Sequence, residues 1–247
     1  MADSSLLVGG FHAVWSSLNA VPQKCVELWV RRGLESDSAS DLIDVARAIG
    51  VSVQVVSANA IDQLYEMGNH QGIVLKRKFP TTVRLKTLLE NLTEKKDTPL
   101  ILILDNLQDP QNFGACLRVA DGAGVDGVVF STNKSARIGN TVARVASGAL
   151  DAITLVPVPN IAMAIRQICA ANIWVTGACD DGDTSFYDID FTLGTAIVVG
   201  NEGEGLRKLT RARCDHLAAI PMHGEVSSLN VACATSVILF EALRQRR

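Results

Sequence analysis

From Leu100 onward the chain repeats one pattern, an apolar run of strand length followed by a helical segment. The runs are LILILD, GVVF, ITLVPV, IWVTGA, AIVVG and LAAIP. A strand with apolar residues on both alternating faces must be covered on both sides, which a half-solvated sheet does not provide. Such strands alternating with helices predict an α/β domain with a mostly parallel sheet. In sheets of that kind ligands bind where loops gather, at the carboxyl ends of the strands.

The first 78 residues carry a shorter version of the same alternation. FHAVWSSLNA, ASDLIDVARAIG and NAIDQLYEM have helical patterning, and VELWV, VSVQVV and GIVLKR have extended patterning. Between the two regions, KFPTTVRLKTLLENLTEKKDTP has prolines near both ends, a charged middle and one short amphipathic helix, and reads as a connector. The expected organisation is a small α/β domain over 1–78, a linker over 79–98 and a larger domain over 99–247, which a chain of 247 residues accommodates.

Composition excludes several classes. With 48% hydrophobic and 20% charged residues the chain is globular rather than disordered or fibrous. No stretch approaches the roughly 18 apolar residues of a membrane span, and MADSSLLVGGFHAVW lacks the basic flank and long apolar run of a signal peptide. A cytoplasmic protein without membrane attachment is expected. The six cysteines are scattered, with no C-x-x-C pair and no histidine at ligand spacing, which predicts reduced thiols and no metal site. A formal charge of -3 gives no global attraction for nucleic acid, so any RNA affinity must come from local cations. Arg31 with Arg32, and Lys76, Arg77 and Lys78, are the candidates in the first domain; such clusters are more often simply solvated.

Three strand-end loops hold most of the unusual residues. In DNLQDPQNFGACLRVADGAG, Asn112 can cap the following helix, on which Gly114, Arg118 and Asp121 share a face opposite Phe113, Leu117 and Ala120. The bland alternative is a capped helix with a surface pair between Arg118 and Asp121. The second loop, IVVGNEGEGLRKL, has glycines that permit close backbone approach to a ligand. It has no Lys-Ser/Thr after them, and Glu202 and Glu204 would repel a pyrophosphate, so it is not a phosphate loop. In the third, IPMHGEVSSLNVACATSVILFEALRQRR, Ser227 or Ser228 is the natural cap and Asn230 two residues inside a helix is a poor structural choice, which suggests a task for it. His223 is a tempting general base, but no Ser-His-acid order accompanies it.

These three segments, in this order and spacing, closely resemble the signature motifs of the SpoU (TrmH) family of S-adenosylmethionine-dependent RNA ribose 2'-O-methyltransferases. The resemblance spans about 100 to 245. LVGGFHAV and GNHQGIV are similar to the small RNA-binding domain of the L30e type that precedes the catalytic domain in many members. The resemblance implies an α/β domain with a C-terminal trefoil knot of the SPOUT kind, behind the L30e-like domain, and an active site at a homodimer interface. It implies methylation of a ribose in RNA, with a guanosine of 23S ribosomal RNA as the expected substrate. A transfer RNA is the alternative, as is a non-catalytic RNA-binding protein of the same fold.

Carried onto this chain, the resemblance makes Arg118, Asn112, Glu202, Ser228 and Asn230 the catalytic set. It assigns S-adenosylmethionine to backbone groups around Val199, Gly200, Asn201, Ile220 and Leu229, with Thr176 and Gly177 at a further strand end. Arg118 would act as the base for the 2'-hydroxyl or as a cation stabilising the alkoxide, and the sequence leaves both open. A nucleotide-dependent dehydrogenase is disfavoured because GNEGEG lies late in the chain, not after an early strand.

Overall fold

The structure, a computed structural model, describes residues 5–247 apart from Glu35, Met67, Lys96, Lys134, Asp183 and Glu202. In chain order the first elements are β1 (Ser5–Gly9), α1 (Phe11–Ala20), β2 (Cys25–Arg31), α2 (Asp37–Ala48), β3 (Ser52–Val56), α3 (Ala58–Leu64) and β4 (Ile73–Lys78). Then follow α4 (Leu85–Glu94), β5 (Leu100–Leu104), α5 (Pro110–Gly122), β6 (Gly127–Ser131), α6 (Asn140–Ala146), α7 (Ala149–Ala152) and β7 (Leu155–Val158). The last are α8 (Ile161–Ala170), β8 (Trp174–Ala178), β9 (Thr184–Ser185), β10 (Thr195–Val199), α9 (Lys208–Arg211), β11 (His216–Ala219) and α10 (Val231–Gln245). They form two compact units, one of Met1–Pro80 with Ile138–Asp151 and one of Thr81–Arg137 with Ala152–Arg247.

The first unit is a four-stranded sheet in the order β1-β4-β2-β3. β4 runs antiparallel to both neighbours, while β2 and β3 are parallel. Its core joins Val14 and Leu18 of α1, Leu42 and Ala46 of α2, and Leu28, Val30, Ile73 and Leu75 of the sheet. Ser36 and Ser57 cap α2 and α3 by accepting the backbone N–H three residues on, satisfying donors that a helix start leaves open. The segment from 138 to 151 belongs to this unit through one side chain above all: Arg77 forks onto Asp151, with both side chains 3% exposed, and Lys24 approaches the same carboxylate at 3.4 Å.

The second unit is a seven-stranded sheet in the order β7-β6-β5-β10-β8-β11-β9, and every pairing in it is parallel. β5, β6 and β10 are buried along their whole length, as strands apolar on both faces require. Ile161, Ala164, Ile165 and Ile168 of α8, and Leu85, Leu88 and Leu92 of α4, pack on this sheet. Because the strands are parallel and adjacent, the ends of β5, β8, β10 and β11 lie at one edge, where the three unusual loops begin. The far end of α10 is clamped by Arg246, whose guanidinium donates to the carbonyls of Thr98, Pro99, Phe191 and Leu193 at 2.7 to 3.0 Å. Burial there lowers its pKa.

Candidate active site

A cleft of about 300 Å³ opens at that edge. Its walls come from the end of β8 (Ala178, Cys179, Asp180, Asp181), from the end of β10 and the loop after it (Val199 to Asn201, Gly203 to Leu206) and from the segment before α10 (Ile220, Met222, Ser227, Ser228, Leu229). Among the cofactor candidates, Val199, Gly200, Asn201, Ile220 and Leu229 line it. Gly200 has no room for a side chain: a Cβ there would lie 2.3 Å from the backbone of Gly205. The loop is closed on itself by reciprocal backbone bonds between Asn201 and Gly205, of 3.1 and 2.8 Å, so its peptide groups are held at the cleft wall.

Thr176 and Gly177 stand just before Ala178, the first cleft-lining residue at this strand end. Both belong to β8 itself, Thr176 is 2% exposed, and neither lines the cleft. Gly177 is small for a packing reason: a Cβ would lie 2.7 Å from the Leu206 side chain and 3.0 Å from Cys214. The residues at this strand end that do face the cleft are the next four, Ala178 to Asp181.

The helix starts also differ from the sequence reading. Asp109, not Asn112, caps α5, accepting the Gln111 N–H at 3.0 Å with Pro110 in the first turn. Asn230 itself caps α10, accepting from Ala232 at 3.0 Å and Cys233 at 3.4 Å, so Ser227 and Ser228 are left to line the cleft. The Asn230 amide nitrogen donates to Asn112 Oδ1 at 3.1 Å. One side chain thus caps one helix and grips the first turn of another 118 residues away. On α5, Phe113, Leu117 and Ala120 are buried as expected, Gly114 is buried with them, and Arg118 and Asp121 are exposed. Arg118 is not among the residues lining the cleft, and Glu202 lies outside the described residues.

Two pairs that sequence reasoning missed organise the loops. Asp105, fully buried at the end of β5, accepts from Arg207 Nε at 2.8 Å, from Arg207 Nη2, and from the Arg207 backbone N–H at 3.3 Å. It thereby ties the first loop to the second, assisted by Asn201 Nδ2 donating to the Asn106 carbonyl at 3.4 Å. An acidic residue closing an apolar run was the only signal available for Asp105. At the cleft rim Arg211 forks onto Asp181 at 2.7 and 3.0 Å. Those hydrogen bonds hold the Asp181 carboxyl below its ordinary range. Burial pushes the neighbouring Cys179 thiol up to about 11, so it lines the cleft as a neutral group and not as a nucleophile.

The basic candidates of the first unit divide. Arg31, Arg32 and Lys78 are exposed and Lys76 is half-buried. Arg77 is 2% exposed and bound to Asp151, so it is removed from the set that could meet a phosphate. Strand alternation is the reason: Ile73, Leu75 and Arg77 share the face of β4 that points into the core. Among the described residues no group of three or more His, Cys, Asp or Glu is placed to hold a metal ion, and no helix is long and apolar enough to cross a membrane.

Comparison with known proteins finds matches to both the N-terminal and the C-terminal parts of the chain. The model of the SpoU rRNA Methylase family matches residues 99–240, and that of the RNA 2'-O ribose methyltransferase substrate binding domain matches residues 7–83. The chain is 42% identical over 241 residues, 98% of each chain, to the 23S rRNA (guanosine-2'-O-)-methyltransferase RlmB of Shewanella oneidensis. It is 40% identical over 242 residues, 98% of this chain and 99% of the other, to the protein of the same description from Escherichia coli K12. Among solved structures it is similar to the SpoU methyltransferase AviRb from Streptomyces viridochromogenes in complex with AdoMet. That match has a TM-score of 0.83 and 25% identity, and covers 98% of this chain and 91% of that one.

Proposed function

The chain belongs to the SpoU rRNA methylase family, and on that premise we propose that it transfers the methyl group of S-adenosylmethionine to the 2'-hydroxyl of a guanosine ribose in 23S ribosomal RNA. The observation that carries this reading is the cleft in which the end of β8, the loop after β10 and the segment before α10 converge.

The residues present fit the cofactor. Val199, Ala218, Ile220 and Leu229 offer apolar wall for an adenine ring. Among the described lining residues, Asp180, Asp181 and Glu204 face a single guanidinium, Arg211, which Asp181 already occupies. Such a rim suits a cationic sulfonium and ammonium and opposes a nucleotide phosphate. When bound, S-adenosylmethionine supplies an electrophilic methyl group. The backbone around Gly200, Asn201, Ile220 and Leu229 holds and orients it. Ser228 and the coupled amides of Asn112 and Asn230 position the ribose. The planar guanidinium of Arg118 stabilises the 2'-oxygen as its proton leaves.

Arg118 stands on an exposed face of α5, and this supports a homodimer in which a second copy completes the site. The first unit binds the RNA substrate, and the second, which takes in α4 of the expected linker and leaves 138–151 to the first, forms the methyltransferase domain with its C-terminal segment threaded as a trefoil knot. The protein works in the cytoplasm, where its ribosomal RNA is, and without a metal.

Methyl transfer from labelled S-adenosylmethionine to 23S ribosomal RNA, mapped to one 2'-O-methylguanosine, is the test. Arg118→Ala should lose about 10³-fold in turnover while cofactor affinity stays within a few fold. Arg118→Lys should recover almost none, because lysine keeps charge but loses the fork. Cofactor binding with no transfer to any RNA would replace this reading by that of a non-catalytic RNA-binding protein.

A further inference from the structure

We propose that one end of the first unit's sheet is a stacking platform for unpaired RNA bases, made by Phe11, His12 and Trp15, with Arg31 and Arg32 at the same end of the sheet. The proposal rests on the RNA-methylating reading above and says where and how the substrate is gripped.

Strand register collects these residues. β4 runs against both neighbours, so its first residue, Ile73, stands opposite Val30 near the end of β2, and Val74 stands opposite Gly9, the last residue of β1. The start of α1, the Arg31–Arg32 corner and the loop before β4 therefore share one end of the sheet. Hydrogen bonds knit them: Gly10 N–H to the Ile73 carbonyl at 3.1 Å, Arg31 N–H to the Gly72 carbonyl at 2.8 Å, and Phe11 N–H to Gln71 Oε1 at 2.8 Å. Gln71 holds a left-handed backbone, φ 53°, to make the last of these, a conformation that concentrates at binding sites. Lys78 closes the opposite end, paired with Ser5, roughly 17 Å away along the strand at about 3.4 Å per residue.

The aromatic residues on this end have a defined arrangement. Phe11 and Trp15, one helical turn apart, are stacked with ring centroids 5.8 Å apart and planes 18° apart. Phe11 is half-buried against the core and so backs the indole, which keeps 36% of its surface open. His12 is exposed and meets Phe11 edge-on at 5.6 Å. Every base has a π face, so an aromatic surface beside cations binds single strands with little regard to sequence. Paired RNA hides those faces. Arg31 and Arg32, both exposed, supply phosphate contacts that the net charge of -3 cannot.

The test uses the full chain with a short fluorescent single-stranded oligoadenylate and an RNA duplex of the same length. The single strand should quench tryptophan fluorescence and bind more tightly than the duplex. Trp15→Ala should weaken its binding about tenfold, with Trp15→Phe retaining most affinity and His12→Ala giving a smaller loss. Replacing Arg31 and Arg32 by alanine should lessen the salt slope of log K by about 0.7 for each phosphate that is no longer neutralised. Unaltered binding by the Trp15, His12 and arginine variants would overturn the proposal, as would an equally strong Trp15 dependence with duplex, or weakening confined to Lys78→Ala. Circular dichroism and an unchanged urea unfolding curve verify that each variant is folded. Methyl transfer to 23S ribosomal RNA by the parent protein is scored separately, so failure of that reaction and failure of the platform are distinguishable.

Discussion

Arg77 with Asp151 in the first unit and Arg207 with Asp105 in the second are pairs of the same chemistry, and each joins segments far apart in sequence, by 74 and 102 residues. Their surroundings differ. In the first pair both side chains are 3% exposed, and Lys24 adds a second cation to the same carboxylate. In the second only the aspartate is dry, because the Arg207 side chain is 40% exposed. Asp105 also accepts a backbone N–H, so it places a loop as well as a guanidinium. A charge with no access to water cannot tolerate the loss of its partner, whereas an arginine with an exposed arm can be resolvated. The first pair therefore holds a fold together and the second tunes a site.

Removing the carboxylates in turn sharpens the contrast. Asp151→Ala leaves Arg77 buried without its partner and should destabilise the first unit by about 3–5 kcal/mol, read as a lowered urea midpoint. A loss below about 1 kcal/mol would mean that Arg77 escapes to solvent like a surface ion. Asp105→Ala should cost less stability, about 1–3 kcal/mol, but weaken S-adenosylmethionine binding about tenfold, because the loop from Gly200 to Arg207 loses its anchor. Unchanged cofactor affinity in calorimetry would show that the loop is placed by the Asn201 and Gly205 backbone alone.

The Asp181–Arg211 pair at the rim is the exposed extreme, and its removal should have the smallest effect. Its carboxyl is held below the ordinary value by hydrogen bonds from Arg211. A depressed folded pKa means that the pair contributes fully above the unfolded value of about 3.8 and is lost as pH falls through the folded value. Cofactor affinity should therefore show no titration from this group between about pH 5 and 8, and Asp181→Asn should alter it by under about threefold at neutral pH. A larger change would make Asp181 a direct ligand of the cofactor.

Much of the architecture is legible in the sequence. The runs from LILILD to LAAIP are doubly apolar, and a doubly apolar strand has nowhere to go but the inside of a covered sheet. The three loops are legible as well, since their residues are too polar or too small for the elements they interrupt. Within the loops the sequence is a less exact guide. It marks Asn112 and Asn230 for a task, yet the expected reason for Asn230, a poor fit inside a helix, is wrong: it is a cap, and its second hydrogen bond to Asn112 is what joins two motifs. Thr176 and Gly177 lie within β8 and not in the loop beyond it, since a strand's end depends on which neighbours continue to pair with it, and β8 has β10 and β11 on its two sides.

Arg77 and Arg118 mark the boundary between what each level decides. By itself the sequence determined which residues form strands and helices and which chemical groups stand at their ends, because hydrophobic period and backbone preference are local quantities. It placed Arg118 on the helix face opposite the apolar residues, and it left Arg77 in a basic cluster with Lys76 and Lys78. Only the tertiary structure decided that Arg77 lies inward on Asp151 while Arg118 lies open on α5. Burial is a property of what packs against a face, and the partner that decides it for Arg77, Asp151, comes from a part of the chain that local pattern cannot connect.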